Sequence, residues 1–525
     1  MGDCLLKEKK MRISFLDKEY WWGGIVNLGE TMPYDKYSEC EIDLSTIKLS
    51  LDQSAPLFVS SKGRYIWSEN PFLIRFWHGE ILIPDTFEVE LNEEGSTLRD
   101  ACMNLAKKKY HLSGKVPDPL FFEQPQYNTW IELNIHSSQE KILEYAENII
   151  RYGMPAGILM IDGGWQIAHG YWEFQPELFP DPQGMIKRLH ELGFKVMLWT
   201  IPAVSVSAPD YDRLKEAKLL LHDCSGKPAQ RWWWGGRDTV LDLSNSQAVR
   251  WYTDQLNHLQ VKYGADGFKF DGGDAYFYDS GDQSWLPLNE QEQMSRYEGL
   301  GEIYPFHEFR CGWKGMGKPL VHRLQDKMHT WNGQGLNQII PHSVLQGLTG
   351  NFFHCPDMIG GGVFNELFET AFDEELYIRW MEVSAFCPMI QFSLAPWRVL
   401  SDENRRIVEK MYRLHQNMAP LFLELAAHAA SVGEPVMRNM AYEFPEEGLE
   451  QVWDQFMLGS KILAAPVLEK GKTGRSVILP SGIWQADDGT RWEGGQTIEI
   501  QAGLERLPFF VRLDRESNGY PADRQ

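Results

Sequence analysis

Gly267-Phe268-Lys269-Phe270-Asp271-Gly272-Gly273-Asp274 lies near the middle of the chain and decides how the rest is read. Phe268 and Phe270 alternate with Lys269, which predicts a short strand buried on at least one face. Gly272 and Gly273 then let the backbone turn sharply. The strand therefore delivers Asp271 to its C-terminal end, where parallel α/β barrels carry their reacting groups. A carboxylate buried there is costly unless something pairs with it. A helix cap, or an ion pair with Lys269, would explain it without any catalytic role, and this segment alone leaves both open.

The same pattern recurs outward from this point. Ile158-Leu159-Met160-Ile161-Asp162, Leu320-Val321-His322-Arg323-Leu324-Gln325-Asp326 and Asn351-Phe352-Phe353-His354-Cys355-Pro356-Asp357 each run from an apolar stretch into an Asp. Four such endings predict one ring of carboxylates rather than four separate caps. Helical stretches separate them. Trp130–Leu133 reads as a first strand, and Ser137 opens a helix with Glu140 completing a capping box. Ile142, Leu143, Ala146, Ile149 and Ile150 give that helix its apolar stripe. Asp181 and Pro182 start another helix as N-cap and first residue. Lys195–Trp199 reads as a strand, residues 247–263 as a helix, His307–Cys311 and Met389–Ser393 as later strands. Repeated strand–helix units over 119–425 predict an eight-stranded parallel (β/α)8 barrel. An open doubly wound sheet is the rival, and no G-x-G-x-x-G turn follows any strand.

The flanks differ in rhythm. Residues 1–118 carry short alternating stretches, Lys48-Leu49-Ser50-Leu51, Phe58-Val59-Ser60 and Phe87–Leu91, which predict an N-terminal β-sandwich. Ser113–Pro119 reads as a linker. Val477–Pro480, Thr497–Ile500 and Phe509–Arg512 predict a small C-terminal β-sandwich over 426–525. Such a multidomain α/β chain suits 525 residues, too many for one ordinary core. A formal charge of -22 argues against nucleic acid and anionic membrane surfaces as partners. No stretch approaches the roughly 20 apolar residues of a membrane span. The first ten residues lack the apolar core of a signal peptide. The seven cysteines include no C-x-x-C pair. Reduced thiols in a cytoplasmic protein are the expectation; a homo-oligomer is left open.

Two carboxyl groups facing one sugar ring are the usual equipment of glycoside hydrolysis. Asp271 suits a nucleophile, and Lys269, two residues earlier on the same strand face, can keep it ionised. Metal chemistry is the competing class, with Asp162, Asp271, Asp326 and Asp357 joined by His322 or His354. No H-E-x-x-H supports it. No G-x-S-x-G elbow supports a serine nucleophile.

Gln455-Phe456-Met457-Leu458-Gly459-Ser460-Lys461-Ile462-Leu463-Ala464-Ala465-Pro466-Val467, followed by Val477-Ile478-Leu479-Pro480, resembles glycoside hydrolase family 31, and the likeness extends over nearly the whole chain. Phe268–Asp274, Cys355-Pro356-Asp357-Met358-Ile359-Gly360-Gly361 and Gln391-Phe392-Ser393-Leu394-Ala395-Pro396-Trp397 are similar to the branch that holds bacterial alpha-galactosidases and the myogenesis-regulating glycosidase. Asp274 stands where that branch has Glu. The D-x-N-E and R-x-H signatures of the alpha-glucosidase branch are absent.

The resemblance implies a retaining alpha-glycosidase for terminal alpha-galactose, with a carbohydrate as its partner and no metal or cofactor. It implies Asp271 as nucleophile and Asp326, in an R-x-x-D pattern with Arg323, as acid/base. Glu308 and His329 are the rivals for the second role. Asp162, Lys269, Asp274, Arg323 and Asp357 are expected around the sugar. Trp165, Trp199, Trp234 and Trp397 are expected as aromatic walls, with ordinary packing as the alternative. Asp242 is either a sugar ligand or a turn residue. Three other functions stay open: a glycosidase for glucose, xylose or N-acetylgalactosamine, a transglycosylase, and a catalytically silent carbohydrate-binding barrel.

Overall fold

Buried alternation at Gly267–Phe270 does form a strand, and it lies inside a ring of eight. The computed structural model describes residues 10–45, 52–233, 236–363 and 372–513. Its central strands are β1 Gln126–Asn128, β2 Ile158–Ile161, β3 Lys195–Thr200, β4 Gly267–Phe270, β5 Phe306–Phe309, β6 His322–Arg323, β7 His354–Cys355 and β8 Gln391–Phe392. All paired neighbours run parallel, and β8 pairs with β1. Among the described residues no ladder joins β7 to β8, so the barrel is nearly closed. Register sets which side chains share a level. Trp199 stands beside Lys269, and Lys269 beside Glu308.

The surrounding helices are α1 Gln139–Arg151, α2 Pro182–Glu191, α3 Ser246–Tyr263, α4 Glu290–Glu298, α5 Ile339–Leu348, α6 Glu374–Ala385 and α7 Asp402–Val432. The expected start of α2 is present: Asp181 accepts from Gly184 N, with Pro182 in the first turn. The cap of α1 is Ser138 rather than Ser137; Ser138 accepts from Lys141 N. The first strand is also displaced. Residues Thr129–Glu132 form a helical turn, not a strand. Asn128 accepts from Trp130 N, and Ser393 Oγ accepts from the Ile131 and Glu132 amides at 2.8 and 3.1 Å. Those donors are lost to any ladder, so the strand ends at Asn128.

The N-terminal part has the two sheets expected. One holds Lys10–Ser14, Glu80–Pro84, Leu73–Trp77 and Cys40–Asp43. The other holds Trp21–Ile25, Gln53–Ser60, Tyr65–Trp67 and Glu90–Asn92. Lys48–Leu51 falls outside the described residues. A helix not expected from the sequence, Leu98–Lys109, leaves these sheets from a capping box between Thr97 and Asp100. The second sheet does not stay apart from the barrel. Gly312–Trp313, in the connection after β5, pairs in parallel with Gln53–Ser54. At the other end α7 runs through the expected border at 425, as one 31-residue helix ended by Gly433 in a left-handed turn. Beyond it lie a six-stranded sheet and the two-stranded ribbon Gly474–Leu479 with Gln496–Gln501.

Candidate active site

The turn after β4 needs its glycines. Gly272 and Gly273 have φ of +59° and +68°, and a Cβ on Gly273 would lie 2.3 Å from the Tyr297 ring. This tight turn points Asp271 into the barrel mouth. Trp199 Nε1 donates to its Oδ2 at 2.9 Å, Arg310 Nε to its Oδ1 at 3.1 Å, and the Gly272 amide to Oδ1 at 2.8 Å. Burial works against the charge. Arg310, Lys269, Trp199 and the Gly272 amide outweigh it and hold the carboxyl well below the ordinary range. Arg310 also donates from Nη2 to Asp274 Oδ2 at 2.9 Å, so one guanidinium bridges two carboxylates. Asp274 is fully buried, and burial raises its carboxyl despite that contact.

One level down, the barrel interior is polar where an ordinary core would be apolar. Lys269 Nζ donates to Asp162 Oδ2 at 2.5 Å, with both side chains almost fully enclosed. Lys269 therefore influences Asp271 by charge, not by direct contact. Glu308 on β5 accepts from Gln391 Nε2 at 2.6 Å and lies 3.4 Å from Arg323 Nε. Burial raises the Glu308 carboxyl. Asn128 completes this floor by donating to Gln391 Oε1 at 3.2 Å.

Arg323 connects the floor to the second group of acids. Its Nη1 donates to Asp326 Oδ1 at 2.9 Å and to Asp357 Oδ1 at 2.6 Å. Asp326 keeps 38% of its side chain exposed, whereas Asp357 is fully enclosed. Burial pushes the Asp357 carboxyl up to about 7 against the pull of Arg323. The Lys327 amide donates to Asp357 Oδ2. A Cβ on Gly362 would lie 2.9 Å from Asp357 Oδ1 and 3.0 Å from Asp326 Oδ1, so the two acids flank one glycine.

The structure thus brings together Asp162, Trp199, Lys269, Asp271, Asp274, Arg323, Asp326 and Asp357. Two tryptophans stand elsewhere. Trp165 is fully buried against Phe174 and Trp172, and its Nε1 donates to the Trp199 carbonyl at 3.1 Å. It supports Trp199 from behind and offers no face to a sugar. Trp397 lies flat on Tyr152, ring centroids 5.2 Å apart, among residues of α7. The Pro396 that starts its short helix turns the chain outward, so this ring packs the outer layer. Trp234 lies outside the described residues. Trp232 is 76% exposed on a hairpin strand, under the Arg237 guanidinium.

Asp242 stands in a turn, accepting from Ser244 N, and also accepts from the distant Trp285 N. Gln391, from the Q-F-S segment, faces Glu308 and Asn128 rather than the mouth. His322 is buried against Glu298 Oε1 at 2.7 Å. His329 Nδ1 lies 2.8 Å from the Gly360 carbonyl. Among the described residues no group of three or more His, Cys, Asp or Glu side chains is arranged to hold a metal ion. Lys269, Arg310 and Arg323 sit where such an ion would have to compete.

Sequence reasoning missed two contributors. Arg310 follows β5 inside His307-Glu308-Phe309-Arg310, where alternation with Glu308 could have marked it as inward-facing. The other is Asp52-Gln53. Asp52 Oδ1 accepts from the Gln325 amide at 2.5 Å, and Gln53 Nε2 donates to the Arg310 carbonyl and, at 3.2 Å, to the Arg323 carbonyl. The N-terminal sheet therefore holds the segments that carry Arg310 and Asp326. No local signal marks that role, because the partners are far away in sequence.

Comparison with known proteins agrees with this layout. Residues 125–425 match the Glycosyl hydrolases family 31 TIM-barrel domain, and residues 433–515 match the Glycosyl hydrolase family 31 C-terminal domain. The chain is 32% identical over 430 residues to the myogenesis-regulating glycosidase of Mus musculus, covering 79% of this chain and 60% of that one. It is 26% identical over 440 residues to Alpha-glucosidase 2 of Bacillus thermoamyloliquefaciens, covering 76% of this chain and 53% of that one. These matches span less than two thirds of either relative's length. In fold, it superposes on the Flavobacterium johnsoniae GH31 dextranase complexed with glucose with a TM-score of 0.82 at 20% identity, covering 96% of this chain and 66% of that one. The chain belongs to glycoside hydrolase family 31.

Proposed function

We propose that the protein is a retaining alpha-glycosidase that releases terminal alpha-linked galactose, with Asp271 as nucleophile and Asp326 as acid/base. The observation that carries this is the state of Asp271. It is held ionised at the end of β4 by Arg310, Trp199 and the Gly272 amide, and the partly exposed Asp326 belongs to the neighbouring acid cluster. An ionised carboxylate can attack an anomeric carbon while a second carboxyl protonates the departing oxygen. The C–O bond to the aglycone breaks as the glycosyl–Asp271 ester forms. Asp326 then takes a proton from water, which attacks the anomeric carbon and returns Asp271 as a carboxylate.

The donors that lower the Asp271 carboxyl also make it a good leaving group in that second step. Asp162 and Asp357 retain acceptor positions for sugar hydroxyls, since a carboxyl group offers more lone pairs than the Lys269, Arg323 and Lys327 donors occupy. Galactose as the glycone rests on the resemblance of the Phe268–Asp274 and Pro356–Gly361 segments to the galactosidase branch. Among relatives, one is an Alpha-glucosidase 2 and another an alpha-xylosidase. A common barrel thus leaves the glycone to individual side chains. The six free thiols of the described residues support action in a reducing cytoplasm.

A panel of 4-nitrophenyl alpha-glycosides tests the proposal. Turnover of the galactoside should exceed that of the glucoside and xyloside by a large factor, because a mismatched polar group is heavily penalised in such a site. Faster hydrolysis of the glucoside overturns the glycone. Binding of sugar without turnover of any glycoside overturns the enzyme.

A further inference from the structure

Directly after Asp326 the chain buries a lysine. Lys327 has no exposed surface, and its Nζ lies 2.9 Å from His342 Nδ1 and 3.5 Å from Gln338 Oε1. His342, also fully buried on α5, places its Nε2 2.6 Å from Glu30 Oε2. Gln338 Nε2 donates to the other Glu30 oxygen at 2.8 Å. Glu30 belongs to the short helix Val26–Thr31 of the N-terminal region and is one third exposed. A proton on Lys327 Nζ can donate to His342 Nδ1, whose Nε2–H then donates to Glu30, so the side chains form one hydrogen-bonded line. The contact surface is tight, since a Cβ on Gly29 would meet the Pro341 carbonyl at 2.8 Å.

The backbone of Lys327 is equally engaged. Its amide donates to Asp357, and its carbonyl accepts from the Gly362 and Val363 amides at 2.9 and 3.0 Å. Asp326 is therefore the residue between Arg323, which grips it, and a lysine fixed on both main chain and side chain. Burying an ammonium is expensive, and a surface lysine with the same backbone bonds would serve if only the loop's shape mattered. Burial is the largest influence on the Lys327 ammonium and lowers its pKa; Asp52, Asp357, Glu30 and Asp326 offset that only in part.

We propose that Glu30, His342 and Lys327 are positioning residues for Asp326, fastening the segment that bears it to the N-terminal region through α5. This rests on Asp326 being the acid/base. Their removal should leave Asp271 and its donors intact and degrade proton delivery alone. A reacting group displaced by about 1 Å can cost up to roughly a hundredfold. Partial loosening should then cost about tenfold where protonation of the leaving group limits the rate.

The test uses Glu30→Ala, His342→Gln and Lys327→Met in the full chain, with Asp326→Ala as reference. Rates are compared on phenyl and 2,4-dinitrophenyl alpha-glycosides of the sugar the wild type turns over. Backbone hydrogen exchange is followed over 325–328. Glu30→Ala, a change at a partly exposed residue, should slow the phenyl glycoside about tenfold, spare the dinitrophenyl glycoside, and speed exchange at 325–328. Equal losses on both substrates, or unchanged exchange, overturn the proposal. If Asp326→Ala itself shows no leaving-group dependence, the acid/base assignment fails instead. The exchange result then decides the fastening by itself.

Discussion

Replacing Arg310 with Met removes the one cation shared by Asp271 and Asp274 while keeping a long side chain in its place. Two contacts disappear, at 3.1 and 2.9 Å, and a fully buried Asp274 carboxylate is left without its guanidinium. Breaking a buried pair from one side costs about 3–5 kcal/mol, because the remaining charge stays desolvated. Two carboxylates left in one pocket cannot both stay ionised cheaply, so one takes up a proton. Asp274 is that one, since burial already raises its carboxyl and Asp271 keeps Trp199 and the Gly272 amide. A carboxyl raised in the folded state binds more protons than the unfolded chain above about pH 3.9. Its penalty therefore grows as pH rises from that point. Urea unfolding at pH 5 and pH 8 measures this directly. The variant should lose about 3–5 kcal/mol at pH 8 and distinctly less at pH 5. A loss below about 1 kcal/mol, within the range of an exposed pair, or a loss independent of pH, would refute the reasoning.

Trp199→Phe removes a donor to an ionised group, worth about 1.5–3 kcal/mol, so kcat/KM should fall roughly tenfold to a hundredfold. The acid limb of its pH profile should move upward, because the lost donor lowers the Asp271 carboxyl in the wild type. Trp397→Ala should lower stability by about 2 kcal/mol, less than a fully buried Trp loses, and leave KM unchanged. A raised KM would return Trp397 to the sugar site. Dialysis against a chelator should leave the rate unchanged, because the acids already face Lys269, Arg310 and Arg323. Loss of rate restored by a divalent ion would favour metal chemistry.

The barrel was legible because its strands announce themselves by where they stop. Phe268, Phe270 and the glycine turn fixed β4, and the same ending found β2, although β6 and β7 shrink to two-residue ladders that end at Arg323 and Cys355, short of Asp326 and Asp357. Asp181-Pro182 fixed the start of α2. Leu98–Lys109 was readable too, from Thr97, Asp100 and the spacing of Leu98, Ala101, Cys102 and Leu105, but the β-rich surroundings masked it. The strand expected at Trp130–Leu133 failed because Ser393, distant in sequence, takes its amides. The site divides in the same way. Asp271, Lys269 and Asp162 follow from strand ends and alternation. Trp165 and Trp397 were misplaced because an aromatic side chain suits a core as well as a cleft. Arg310, Asp52 and Gln53 act through contacts between remote segments, which no local pattern reports.

The central claim is that Asp271 forms a covalent bond to the sugar. Incubation with 5-fluoro-alpha-galactosyl fluoride, followed by proteolysis and mass spectrometry, addresses that bond itself. A single glycosyl adduct on the peptide carrying Gly267–Asp274, mapped to Asp271 and absent from an Asp271→Asn variant, is the predicted result. An adduct on Glu308, Asp326 or Asp357, or steady turnover of the reagent by Asp271→Asn, would contradict it.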